Sequence, residues 1–223
     1  MIGRPRVHFR VTDSTNERAR SLAMAGAPHG TLVTADEQTA GRGRQGRVWT
    51  APPRSAVLMS VVLRELSETL PLAAAVAVCD SLAVEAQIKW PNDVWIDGRK
   101  LAGILVEARP QEGWAVLGIG MNVTTEEFPP ELHATSLRLA GLAVATDDAL
   151  SALLSTLAAW LPRPPAEILA AWRSRDALLG HRVRWANGSR EGTAAGIDDS
   201  GALIVETVDG TVTLDAGEVH LER

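Results

Sequence analysis

Apolar and polar positions along the chain follow three textures. The stretch "DSTNERARSLAMAG" begins with Ser14-Thr15-Asn16-Glu17, the S-x-x-E spacing of a capping box. Ala19, Leu22 and Ala23 then share one helical face, and Gly26 supplies a stop, so a helix is expected over 15–25. "TLVTAD" at 31–36 and "AVLMSVVL" at 56–63 read as strands, the second apolar enough to be buried on both faces. A buried helix is expected over 71–86. Pro91 forces a break, Val94-Trp95-Ile96 resumes an extended run, and Asp97-Gly98 is a two-residue hairpin turn from which "KLAGILVEA" returns. "WAVLGIG" at 114–120 is a further strand. "TDDALSALLSTLAAWL" is a helix capped by Thr146 or Asp147 and ended by "PRPP" at 162–165, and "AEILAAWRSRDALL" supplies a last helix.

The texture changes at Gly180. From His181 onward come "HRVRWA", "REGTAAGI", "ALIVET", "TVTL" and "EVHLE", split by Asn187-Gly188, "DDSG" at 198–201 and Asp209-Gly210. Short strands with tight turns over about forty residues predict a small barrel of the SH3 kind. The expected organisation is an α+β domain over 1–178 and a β domain over 179–223.

Composition narrows the class. The chain has 223 residues, 46% hydrophobic and 22% charged, ordinary for a folded globular protein. The formal net charge of −5 is unlike the basic surplus of a protein that lives on polyphosphate, although charge can be local. No apolar run reaches the roughly 20 residues of a membrane span, and "MIGRPRVHFRVTDS" lacks the apolar core of a signal peptide, so the expectation is a cytoplasmic protein without membrane contact. Cys79 is the single cysteine, which gives no cysteine-rich metal site, and His8, His29, His133, His181 and His220 are scattered without ligand spacing, so no protein-bound zinc is expected.

Two places carry candidate chemistry. In "AGRGRQGRVW" at 40–49, Arg42, Arg44 and Arg47 alternate with Gly41, Gly43 and Gly46, between two predicted strands. Glycines allow a tight backbone, and arginines offer a fixed fork of donors for carboxylate or phosphate. The run is neither a P-loop nor a dinucleotide fingerprint. An anion cradle, a nucleic-acid contact and a solvated loop all fit the residues alone. Lys100, just past the Asp97-Gly98 turn, is either solvated or, with Asn92 and Asp93 across the hairpin, part of a cation–amide–carboxylate group at one end of a sheet.

In order, "DSTN", "QTAGRGRQGRVW", "KWPNDV", "RKLAGILVE" and "GIGMN" resemble the biotin protein ligases, from about residue 12 to the C-terminus. The resemblance implies a catalytic domain like that of class II aminoacyl-tRNA synthetases with an SH3-like C-terminal domain. It implies two steps: biotin's carboxylate attacks the α-phosphate of Mg-ATP to give biotinyl-5′-AMP and pyrophosphate, and a lysine of a biotin carboxyl carrier domain then takes the biotinyl group and releases AMP. Biotin and ATP are thus substrates and no prosthetic group is needed.

By the same resemblance, Ser14, Thr15, Asn16 and Gln38 meet biotin, which competes with the capping role of Ser14. Gly41, Arg42, Gly43 and Arg44 match the loop over biotin and the adenylate phosphate, Trp49 a wall of the biotin pocket, and Gly103 a close approach to ligand. Lys100 matches the lysine at the reacting carboxylate and phosphate, with Arg44 and Asp93 as its catalytic companions. Asp93 either positions the acceptor amine or helps bind metal. Arg44, Arg47, Lys100 and Asn122 fall where the family contacts the nucleotide, and Thr135-Ser136 lie in a segment that orders over adenine. Trp160 and Trp172, on predicted helices, are expected to pack in the core. Some members carry an N-terminal winged helix-turn-helix; with 13 residues before Ser14, the expectation here is a ligase without DNA binding. A lipoate-type ligase and a nucleic-acid-binding module are the rival readings, and a weak or ligand-dependent homodimer is left open.

Overall fold

The computed structural model describes residues 1–215 and 217–221. Strand β1 (Arg6–Phe9) leads through helix α1 (Thr15–Met24) to β2 (Leu32–Ala35), and the two strands pair in parallel because the helix carries the chain back across the sheet. β3 (Ala56–Leu63) pairs antiparallel with β2 and with β7 (Trp114–Asn122), and β6 (Arg99–Arg109), β5 (Asp93–Ile96) and β4 (Gln87–Lys89) complete the sheet in the order β1-β2-β3-β7-β6-β5-β4. The Asp97-Gly98 turn has φ of 49° and 70°, the doubly positive geometry that makes this dipeptide a hairpin signal.

Strand periodicity gives the sheet two different faces. Val57, Met59, Val61 and Leu63 of β3 and Ala115, Leu117, Ile119 and Met121 of β7 join the main core, where α2 (Leu70–Asp80), α3 (Thr146–Trp160) and α4 (Pro165–Arg173) cover them. The other face holds Val62 and Val116 against Ala19 and Ala23 of α1, and then changes character: its remaining positions include Ser60, Gly118 and Gly120. One register thus builds a dry core on one side and leaves a shallow floor on the other.

A second sheet, β11-β10-β9-β8-β12, is formed by β8 (Arg182–Trp185), β9 (Arg190–Ile197), β10 (Leu203–Thr207), β11 (Gly210–Leu214) and β12 (His220–Leu221). Its apolar residues, among them Val183, Leu203 and Val205, continue the main core. The Trp90 indole N–H donates to the Gly201 carbonyl at 3.0 Å, tying the "KWPND" turn to this sheet. The mixed sheet with its helices followed by the β sheet is the α+β arrangement expected.

Four local expectations are corrected. α2 ends at Asp80 instead of Ala86, because Ser81 turns its amide back to Ala77 and Val78 and its hydroxyl to the Val78 carbonyl at 2.7 Å. α4 stops at Arg173: Ile88 takes the Arg175 carbonyl at 2.7 Å and Ala177 takes that of Ile88, so "RDALL" serves β4 instead of the helix. Neither Thr146 nor Asp147 caps α3; Ala145 occupies that position, and the Thr146 hydroxyl donates to Arg54's carbonyl. Trp172 is fully buried as expected, whereas Trp160 is half-buried and donates to Asp80 at 2.7 Å. The edge strands β1 and β4, short and half polar, escape the sequence reading altogether.

Among the described residues no helix is long and apolar enough to cross a membrane. Cys79 lies within α2, where burial pushes its thiol up to about 12. Alkylation of Cys79 in the native protein is therefore expected to track global unfolding, with denaturant accelerating labelling in step with loss of secondary structure. Rapid labelling of the folded chain would contradict this packing.

Candidate functional site

A cavity of about 660 Å³ opens on the shallow face of the first sheet, bounded by α1, the Arg–Gly loop, the segment 128–134 and β12. One end is polar. Gln38 Oε1 accepts from the Thr15 amide at 2.7 Å and from its hydroxyl at 3.0 Å. Ser60 Oγ is within hydrogen-bond distance of Thr15 Oγ1 (2.8 Å) and Asn16 Oδ1 (2.6 Å), and the Asn16 amide donates to Glu107 at 2.8 Å. Thr15, Asn16 and Ser60 are buried, so this chain of bonds fixes rotamers that water would otherwise scramble. Ser60 and Glu107 were not singled out from the sequence; a serine inside an otherwise apolar strand, "AVLMSVVL", was the available signal for the first.

The capping box does not form. Ser14 occupies the N-cap but makes no side-chain capping bond, and Glu17 pairs with Arg20 and Arg42. Ser14 lines the cavity instead.

Glycines shape the floor. Register sets Gly103 of β6 opposite Gly120 of β7, and the Trp49 ring lies across both. A Cβ on Gly120 would stand 2.5 Å from Trp49 Cε2, and one on Gly103 would stand 3.1 Å from its Cζ3. A Cβ on Gly118 would collide with Asn16 Oδ1. Gly41 is buried, and a side chain there would strike the Trp49 carbonyl. It shapes the loop and does not line the cavity.

The Arg–Gly loop is a small hairpin. Arg42 bridges Val48, the Gly43 amide donates to the Arg47 carbonyl at 2.8 Å, and Gln45 (φ 55°) and Gly46 (φ 76°) make the turn. Its three arginines have different surroundings. Arg42 pairs with Glu17 (2.8 Å) and Glu107 (3.2 Å), holding the hairpin against α1 and β6, and Arg47 pairs with Glu218 before β12. Arg44 has no carboxylate partner among the described residues; its guanidinium reaches Asn92 Oδ1 at 3.4 Å. Burial, with Arg47's like charge, holds Arg44 below the usual arginine value.

Lys100 and Asp93 meet as a pair at 2.7 Å, both side chains largely shielded, and Lys100 Nζ stands 5.7 Å from the Trp49 ring centre. Two cations from separate elements thus converge on consecutive residues, Arg44 on Asn92 and Lys100 on Asp93. The segment after β7 runs beside them: Lys100 donates its amide to the His133 carbonyl and accepts from Thr135. Asn122 lines the cavity while its amide holds the Thr135 carbonyl at 3.0 Å. Thr135 and Ser136 are buried, and neither lines the cavity; the Ser136 hydroxyl donates to the Thr125 carbonyl at 2.6 Å. Lys89, missed in the sequence, also lines the cavity, 5.3 Å from the Trp95 ring centre, and burial lowers its pKa. The three-residue strand that carries it gave no periodicity to mark it.

Residues 8–123 match the family described as biotin/lipoate A/B protein ligase, and residues 182–221 match the biotin protein ligase C-terminal domain. The chain is 39% identical to a biotin–[acetyl-CoA-carboxylase] ligase of Mycobacterium tuberculosis, over 94% of this chain and 86% of that protein. It is 35% identical to a bifunctional ligase/repressor of Bacillus subtilis, over 99% of this chain and 75% of the other. A solved structure of the Aquifex aeolicus biotin protein ligase in complex with biotin and ATP superposes with a TM-score of 0.84 at 28% identity, covering 99% of each chain.

The glycine floor yields a test that needs no ligand. Gly120→Ala is expected to destabilise the protein by about 1–3 kcal/mol, because Trp49 has to move. Adding Trp49→Ala should recover part of that loss. Denaturant midpoints across the four-member cycle measure the coupling, and strictly additive losses would contradict the contact.

Proposed function

This chain belongs to the biotin/lipoate A/B protein ligase family, and we propose that its cavity is where biotin is activated with ATP and from which the biotinyl group passes to a protein lysine. The observation that carries the reading is the convergence of Arg44 and Lys100 on Asn92-Asp93 at one end of a glycine-floored cavity whose other end is a fixed polar network. A lipoate-type ligase is not favoured, since the relatives covering most of the chain are biotin ligases. The nucleic-acid reading loses its basis with Arg42 and Arg47 each bound to carboxylates.

In this reading Ser14, Thr15, Asn16 and Gln38 receive the ureido ring of biotin, a group with both donors and an acceptor. Trp49, seated on Gly103 and Gly120, forms a wall beside the apolar ring system, and the valeryl carboxylate runs toward Lys100. Adenylation brings that carboxylate against a triphosphate, and both are anions. Arg44 and Lys100 offset the repulsion and stabilise the negative charge that builds on the five-coordinate phosphorus. An incoming anion competes with Asp93 for Lys100, so the resting ion pair holds the lysine aimed before substrate arrives. Asn122 and the 128–134 segment stand on the nucleotide side.

Magnesium would come on the ATP triphosphate. Among the described residues no group of three His, Cys, Asp or Glu side chains could hold a metal ion, and Asp93 is already engaged by Lys100. In the second step a lysine amine of a biotin carboxyl carrier domain attacks the acyl carbon and AMP leaves. Until then Arg44 and its hairpin shield the mixed anhydride from water.

Lys100→Ala is expected to lower biotin-dependent pyrophosphate exchange by about 10²–10³-fold, the usual cost of removing one preorganised donor to developing charge. Near-normal exchange would remove Lys100 from the chemistry. Arg44→Gly is expected to raise the rate at which biotinyl-5′-AMP escapes into solution, measured by trapping the released adenylate; a wild-type escape rate would argue against the shielding role.

A further inference from the structure

Behind Arg44 lies a second cavity, of about 330 Å³, for which adenylation has no use. It shares Arg44, Asn92, Ile104 and Leu105 with the main cavity, so a single layer of side chains separates the two. The polar part of that layer is the Arg44–Asn92 contact at 3.4 Å, long for a hydrogen bond from a charged donor. The second cavity lies where the two sheets meet, beside Trp90 and the 200–202 turn that Trp90 bonds. Its charged lining residues are Arg44 at the shared wall and the carboxylates Glu68 and Asp215. Both carboxylates are exposed, and neither has an ion-pair partner among the described residues.

We infer that this cavity is the channel by which the acceptor lysine reaches the acyl adenylate. The inference rests on the ligase reading of the main cavity. With biotin and the adenylate filling the main cavity, the acyl carbon lies at the junction of carboxylate and phosphate, between Lys100 and Arg44. The amine has to approach that carbon from a side the substrates leave uncovered, and the second cavity abuts it across Arg44. Charge along the channel suits the passenger. Two unpaired carboxylates attract a lysine ammonium at the exposed side, and the Arg44 guanidinium disfavours its charged form at the inner end, favouring the neutral nucleophile. The lysine gives up one proton as it becomes the free amine. Its nitrogen lone pair then forms the C–N bond, the acyl C–O bond breaks with its electron pair going to AMP, and a second proton passes to water.

The test separates the two half-reactions in the full chain. Glu68→Lys combined with Asp215→Lys is expected to leave biotin-dependent pyrophosphate exchange within about twofold of wild type. It should also leave transfer to hydroxylamine, a small uncharged nucleophile, unchanged. Biotinylation of a carrier domain should fall at least about tenfold in kcat/KM, with the loss growing at low ionic strength. Transfer to the carrier domain at the wild-type rate would overturn the channel, as would equal losses with carrier and hydroxylamine. If the wild-type chain itself shows no exchange with biotin, it is the ligase reading that fails. A second measurement avoids charge reversal. Ser200→Cys is expected to form a disulfide with a carrier domain whose acceptor lysine is replaced by cysteine, and Ser155→Cys on α3 is not. Cross-linking at both positions or at neither would count against this path.

Discussion

The site depends on one steric constraint: neighbouring strands must carry no side chain where Trp49 lies. Gly103 and Gly120 are cross-strand partners, and Gly118 lies two residues earlier on the same face of β7. Together they remove from the sheet the layer that would otherwise fill the cavity. The alternate residues Ile104, Ile119 and Met121 go into the main core and hold the strands in register. A slip of one residue would put those side chains into the cavity and the glycines into the core. Cavity shape and core stability are therefore set by the same pairing.

Electrostatics divides the charged residues into those that build the site and those left available to a ligand. Arg42 is bound to Glu17 and Glu107, and Glu107 in turn orients Asn16, so the hairpin and the polar end of the cavity are one hydrogen-bonded unit. Arg47 ties the same hairpin to Glu218 of the C-terminal region. Arg44 and Lys89 remain shielded cations without carboxylate partners among the described residues, an arrangement that costs stability unless an anion arrives. Such local conflict is expected at a functional site and is offset by the consistency of the core around it.

Much of this was legible in the chain. The five C-terminal strands fall where alternation and Asx-Gly turns put them, and the "AVLMSVVL" strand is buried along its whole length. The Asp97-Gly98 turn brings Lys100 back beside Asp93, as the hairpin reading expected. Short-range signals failed where a distant partner outcompeted them. Ser14 has the sequence of a capping box, but Glu17 finds arginines instead; "RDALL" has helical composition, but Ile88 takes its backbone. Ser60, Glu107, Lys89 and Glu218 gain their meaning from residues far away in the chain.

The sequence by itself determined the periodicities, the turn positions, the residue types able to handle two anions, and the family resemblance. These are local, because backbone preference and hydrophobic period act over a few residues. Only the tertiary structure decided which of three alternating arginines is left without a carboxylate partner among the described residues, because that choice rests on which carboxylates other elements bring within reach. It also decided that a tryptophan and two glycines, each from a different part of the chain, form one surface. Strand register makes that assignment, and register is a property of the folded sheet.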